Sequence, residues 1–193
     1  MTVYVEADRL EAGLPHVLDS PAELGTVELV VRRPSEGERE VLEEGVIDFP
    51  GLVGDRHTLR DDRPAGTEIT LTNARVVDLL ADGDRDRWQL AGDQLYVDLD
   101  LRQENLPAGT RLQVGSATLE VSEMPHTGCA MFTARFGSDA TRFVNSKEHR
   151  ELRLRGMNAR VVTPGTVRPG DAIRKLQSVS KVTLARENHR GAG

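Results

Sequence analysis

Apolar residues recur along this chain mainly with the two-residue period of half-buried strands. From Leu24 to Val31 the pattern sets Val27, Leu29 and Val31 on one side of a strand, with Glu28 interrupting the other. Glu40 to Ile47 can continue the same sheet. After a glycine-bounded stretch, Gly51 to His57, the residues Glu68 to Leu71 alternate briefly. Thr72 and Asn73 then supply a cap for a helix to about Ala81, with Val76, Val77, Leu79 and Leu80 as its apolar face. Asp82 to Asp86 reads as a polar turn.

The clearest local signal is a hairpin. Thr110 to Val114 and Ala117 to Val121 alternate on either side of Gly115-Ser116, so Leu112 and Val114 face Leu119 and Val121. Cys129 to Phe136 has helical spacing and stops at Gly137, after which Ser138 caps a second short helix to about Asn145. Ala159 to Thr163 and Asp171 to Leu176 read as a final strand pair, joined through Pro164-Gly165 and Pro169-Gly170. Strands dominate and do not alternate with helices. The pattern therefore predicts a mainly β protein, a closed or nearly closed barrel with a few short peripheral helices, rather than a doubly wound sheet.

With 193 residues, one domain is the expectation: residues 1–24 as an N-terminal extension, 25–176 as the barrel and 177–193 as a polar tail. Aromatics make up only 4% of the chain, which predicts a core of Val, Leu, Ile and Ala. The single cysteine excludes an internal disulfide and makes a reducing cytoplasm the expected location. No signal-peptide pattern opens the chain. The longest apolar run, Cys129 to Phe132, is four residues, far too short for a membrane helix.

The net charge of −6 is unevenly distributed. Residues 1–130 sum to −14, while residues 131–175 hold ten Lys or Arg against four Asp or Glu and directly follow the cysteine. Such a stretch suits an anionic small ligand, although a solvated face of mixed charge is the alternative for each residue. Nucleic acid is not an expected partner, because the chain is acidic overall and lacks interleaved basic and aromatic residues.

Phosphate-loop, dinucleotide, zinc-protease and C-x-x-C motifs are absent, and the five histidines lack zinc-ligand spacing. Three constellations remain. Pro125-His126-Thr127-Gly128-Cys129 places a thiol at a helix start, where backbone amides and the cationic segment favour the thiolate that attacks electrophiles, carries sulfur or ligates a soft metal. A packed, inert thiol is the alternative. Gly51 to His57 presents Asp55, Arg56 and His57 on a sharp loop able to hold an anion, or a plain turn with Asp55 paired to Arg56. Arg153 and Arg155 alternate along a segment that, if extended, puts both guanidinium forks on one face.

In this order, and with Thr70 to Asn73 and Gly156 to Asp171 between and after them, these segments resemble the MOSC domain, named for its place at the C-terminus of molybdenum cofactor sulfurases. The resemblance spans Gly25 to Lys175. The frequent P-R-x-P-C and G-E-N-[LF] segments of that family stand here as Pro125 to Cys129 and Gly92-Asp93-Gln94-Leu95.

The resemblance implies a β-barrel and molybdenum-cofactor binding, with Cys129 as catalytic residue and ligand of the molybdenum or sulfur. Arg56, His57, Thr72, Asn73, His126, Thr127, Gly128, Arg153, Arg155 and Asn158 would surround the anionic cofactor. It further implies either a small oxidoreductase acting on N-hydroxylated compounds with a reductase partner, or a persulfide carrier supplied by a cysteine desulfurase. The chain has no room for a pyridoxal-phosphate domain. A cysteine hydrolase using Cys129 with His57 or His126 and Asp55 is the remaining alternative.

Overall fold

Alternation along the hairpin resolves into inside and outside. Leu112 and Val114 are buried between the exposed Arg111 and Gln113, and Ala117, Leu119 and Val121 are buried between half-buried Thr118 and Glu120. In the computed structural model, which describes residues 4–60 and 62–177, these form β7 (Arg111–Val114) and β8 (Ala117–Val121). Leu112 pairs with Leu119 as expected, but Val114 pairs with Ala117, and Val121 lies opposite Ala159 of β9 (Met157–Thr163).

The strand order is β11 (Ala172–Lys175), β7, β8, β9, β5 (Ile69–Asn73), β6 (Leu95–Asp98), β1 (Leu24–Arg32), and β1 pairs back onto β11 to close a seven-stranded barrel. Among the described residues only β5 and β6 run parallel. β9 and β11, expected to pair with one another, do not. β9 lies between β8 and β5, and β11 between β7 and β1, because the last strand is the one that seals the barrel edge. The loop between them carries β10 (Gly165–Val167).

Closure divides the apolar residues between two cores. The barrel interior is almost wholly aliphatic, from Val27, Val30, Ile69, Leu71, Leu95, Val97, Leu119 and their neighbours. The second core lies outside the barrel wall, beneath α1 (Ala7–Leu18), α2 (Ala74–Leu80) and α3 (Ala130–Asn145), and it holds Trp88, Tyr96, Phe132, Phe136 and Phe143. A core without rings is thus correct for the barrel and wrong for the helical layer. Phe132 and Phe136 stack with centroids 5.1 Å apart.

β1 serves both cores by means of a bulge. Its register against β6 shifts between Val27 and Leu29, so Val27 and Val30 point into the barrel while Leu29 and Val31 meet the helices. The expected common face for Val27, Leu29 and Val31 is broken at this point.

Residues 40–47 only partly continue the sheet. β2 (Glu40–Val41) pairs with β1, whereas β3 (Gly45–Asp48) forms a separate small sheet with β10 and β4 (Gly51–Leu52). The segment expected as an N-terminal extension contributes α1, whose Leu10 and Val17 are buried in the second core. The polar tail from Ser178 onward lies outside the described residues.

Candidate functional site

Cys129 is the residue before the first turn of α3, with extended backbone and an exposed side chain. Its carbonyl accepts from the amide and hydroxyl of Thr133, at 3.0 and 3.2 Å. Phe132 and Phe136 anchor the helix to the second core. At Gly137 the backbone reaches φ 91°, a conformation that glycine alone adopts readily, and the helix breaks.

The break turns the second half of α3 back toward its start. Asn145 therefore accepts from the Gly128 amide at 2.8 Å and donates to the Gly128 carbonyl at 3.1 Å. From the barrel side, the Asn158 amide on β9 donates to the carbonyls of Met124 and Pro125, both at 3.2 Å. Two asparagines thus clamp the loop that presents the thiol.

Across from Cys129, three arginines meet three consecutive carbonyls. The 3-10 turn Arg85–Ala91 ends at Gly92, whose positive φ of 88° turns the carbonyl groups outward. Leu90 accepts from Arg135 at 3.0 Å, Ala91 from Arg155 at 2.9 Å and Gly92 from Arg33 at 2.6 Å. The negative end of this turn gathers guanidinium groups from the residue after β1, from α3 and from the approach to β9.

Two wholly buried carboxylates fix two of these arginines. Asp55 takes both forks of Arg33 at 2.9 Å, together with the backbone amides of Arg33 and His57. Asp93 takes Arg155 at 2.6 Å, and its other oxygen lies 3.5 Å from Nδ1 of His126 without a hydrogen bond. Burial, with Arg155 second, pushes His126 down to about 4, so at neutral pH its ring is uncharged.

Arg39 and Arg56 complete a pocket of about 180 Å³ bordered by Cys129 and by Arg33, Arg135 and Arg155. Arg56 has only a loose, exposed contact with Glu36 at 3.9 Å. Among the described residues neither Arg39 nor Arg135 has a carboxylate within 4.0 Å. Arg39 is pulled below its usual basicity, first by desolvation and then by Arg135, Arg33 and Arg56, and its buried Nε has no partner. Like charges gathered this closely could hold an anion between them.

The structure sorts the residues named from the sequence. Cys129, Arg56, His126, Thr127 and Arg155 line the pocket together, with Gly128 in the clamped loop. His57 turns away, its ring bonded to the carbonyl of Thr67 at 2.9 Å, while Asp55 holds Arg33 rather than Arg56 or the His57 ring. The Cys129–His57–Asp55 arrangement is not assembled. Thr72 and Asn73 are buried beside α2, where Asn73 accepts from the Arg75 amide as the helix cap and donates to Ser20 and Leu99.

Arg153 and Arg155 do not share a strand face. Arg153 sits in a left-handed turn, and its guanidinium reaches the carbonyl of Leu106, away from the pocket. Sequence reading missed Arg33, Arg39, Arg135 and Asp93. The position of Gly92-Asp93-Gln94-Leu95 was the available signal for Asp93, whereas Arg33 and Arg39 are hidden among the glutamates of a charged stretch.

The protein is thus a mainly antiparallel β-barrel that presents a clamped cysteine beside an arginine-rich pocket. The sequence profile of the MOSC domain matches residues 68–174, more than half of the chain, and the protein belongs to the MOSC domain family. Its fold is similar to that of the YuaD protein of Bacillus subtilis, with TM-score 0.61 and 18% identity over 80% of this chain and 97% of that one. It is also similar to YiiM from Escherichia coli, with TM-score 0.53 and 19% identity over 82% and 73% of the two chains. A search of the curated proteins finds no match. Among the described residues no helix is long and apolar enough to cross a membrane.

Proposed function

We propose that this protein binds the molybdenum cofactor, with Cys129 as the single protein ligand to the metal and the arginine pocket as the seat of the cofactor's phosphate. The observation that carries this reading is the convergence of Arg33, Arg39, Arg56, Arg135 and Arg155 on the pocket that the thiol borders, with no carboxylate within 4.0 Å of Arg39 or Arg135 among the described residues.

The residues present suit the group. Guanidinium forks match a phosphate dianion, and an exposed thiol on a clamped loop suits a soft metal. Among the described residues no three His, Cys, Asp or Glu side chains are grouped to hold a metal ion, so a metal at Cys129 needs donors carried by the cofactor itself. When bound, the cofactor supplies the redox chemistry that the side chains lack, the class of reaction being reduction of N-hydroxylated compounds with electrons from a separate reductase. Asn145 and Asn158 orient the thiol, and Arg39 and Arg135 hold the anion.

Expression in cells that make the cofactor, followed by measurement of molybdenum content and pterin fluorescence, tests this. Molybdenum near one equivalent should copurify with the parent, fall to background in Cys129→Ala, and fall in Arg39→Ala/Arg135→Ala. Equal, negligible molybdenum in parent and variants refutes it.

A further inference from the structure

On the far side of the Pro125–Thr127 segment the surface opens into a wider groove of about 880 Å³, within the size range of small-molecule sites. His126, Thr127 and Arg155 border both this groove and the cysteine pocket, so one short stretch of chain is the wall between them. Met124, Pro125, Val144 and Met157 provide apolar sides, and Lys147 and Arg150 stand on the rim just after α3.

Among the described residues, Lys147, Arg150 and Arg153 of this groove have no carboxylate within 4.0 Å, whereas Arg155 is held by Asp93. Arg153 is half-buried, and among the described residues its guanidinium meets only neutral partners: the carbonyls of Leu106 at 2.7 Å and Leu101 at 3.4 Å, and the sulfur of Met157 at 3.8 Å. Arg33, Arg75, Arg102 and Arg155 each meet a carboxylate, whereas Arg153, like Arg39 and Arg135 of the cysteine pocket, meets none among the described residues. A desolvated guanidinium without one is costly unless a ligand supplies the charge.

Arg155, only 7% exposed, adds a buried Nε with no partner on the same floor. Lys147 and Arg150 are exposed and, among the described residues, have no carboxylate within 4.0 Å, and Glu123 is the one acid in the lining. The basic segment recognised in the sequence is thereby divided. Arg160, Arg168 and Lys175 are spent on surface pairs with Glu120, Glu44 and Glu23, whereas Lys147, Arg150 and Arg153 border the groove.

We infer that this groove is a second binding site, taking a small organic oxyanion, a phosphate or carboxylate on an apolar body, with Arg153 and Arg155 beneath the charged group and Lys147 and Arg150 above it. Arg155 borders both sites, but Lys147, Arg150 and Arg153 line the groove and not the cysteine pocket, so the inference does not rest on cofactor binding.

Titration of the protein with phenyl phosphate and, separately, with benzoate, followed by backbone amide NMR shifts, tests it and tells the two oxyanions apart. Saturable shifts are expected at Asn145 to Lys147 and at Gly156 with at least one probe. Lys147→Ala/Arg150→Ala, whose spectrum elsewhere should overlay the parent's, should bind about tenfold more weakly, as loss of one to two charge-assisted hydrogen bonds requires. Arg39→Ala/Arg135→Ala should leave groove binding unchanged. Shifts confined to the cysteine pocket, or groove shifts undiminished in Lys147→Ala/Arg150→Ala, overturn the inference, and the first of these leaves the cofactor reading standing.

Discussion

Replacing Asp93 with alanine strips the counter-ion from Arg155 while leaving the arginine held by the Ala91 carbonyl. Asp93 is fully buried and the Arg155 side chain 8% exposed, with 2.6 Å between them, so the remaining guanidinium cannot recover much hydration. Removing one partner of such a pair costs about 3–5 kcal/mol, chiefly for the uncompensated charge left behind. For a chain of this length that lowers the melting temperature by about 10 °C.

Asp93→Asn keeps an oxygen for Arg155 and places an amide donor beside the unpaired Nδ1 of His126, so its loss should be smaller, about 2 kcal/mol. The assay is urea unfolding of Asp93→Ala, Arg155→Met and the double variant. Because the double variant removes both charges, it should be more stable than the sum of the two single losses by about 2 kcal/mol or more. Additive losses, or a loss under about 1 kcal/mol for Asp93→Ala, refute the view that this buried pair organises the pocket.

Three further outcomes follow from the same geometry. Burial holds His126 at about 4 against its ordinary 6.5, so between those values the unfolded chain binds a proton that the folded one refuses. Stability is full above about pH 6.5 and falls toward pH 4 by up to about 3 kcal/mol, and His126→Gln should flatten urea-midpoint curves across that window; identical slopes would count against it. Native protein should titrate one thiol rapidly with a disulfide reagent, and Cys129→Ala should unfold within about 0.5 kcal/mol of the parent, because the side chain is exposed. Asn145→Ala and Asn158→Ala should each cost about 1–2 kcal/mol and speed hydrogen exchange at Gly128, measured by NMR, with unchanged exchange showing that the loop is held by other contacts.

The legible part of the site was local. Periodicity two marked the β7–β8 hairpin, the Asn73 cap marked the start of α2, and Gly137 marked the break in α3, since each depends on neighbours within a few residues. The resemblance carried by Gly51 to His57, the cysteine loop and Gly156 to Asp171 supplied the family and the barrel, and the profile match agrees.

Partner choice was not local. Which strand closes the barrel, and the bulge that lets β1 serve two cores, follow from sheet twist and packing across the whole chain. Charged residues were the hardest to read. Arg33, Arg56, Arg153 and Arg155 look alike in sequence, and only folding decides that Asp55 neutralises the first, Asp93 the last and, among the described residues, no carboxylate the half-buried Arg153. The sequence by itself determined a strand-rich barrel with one cysteine at a helix start. The tertiary structure decided which cations surround that cysteine and which are left unpaired, because desolvation and distance act only between residues that the fold has brought together.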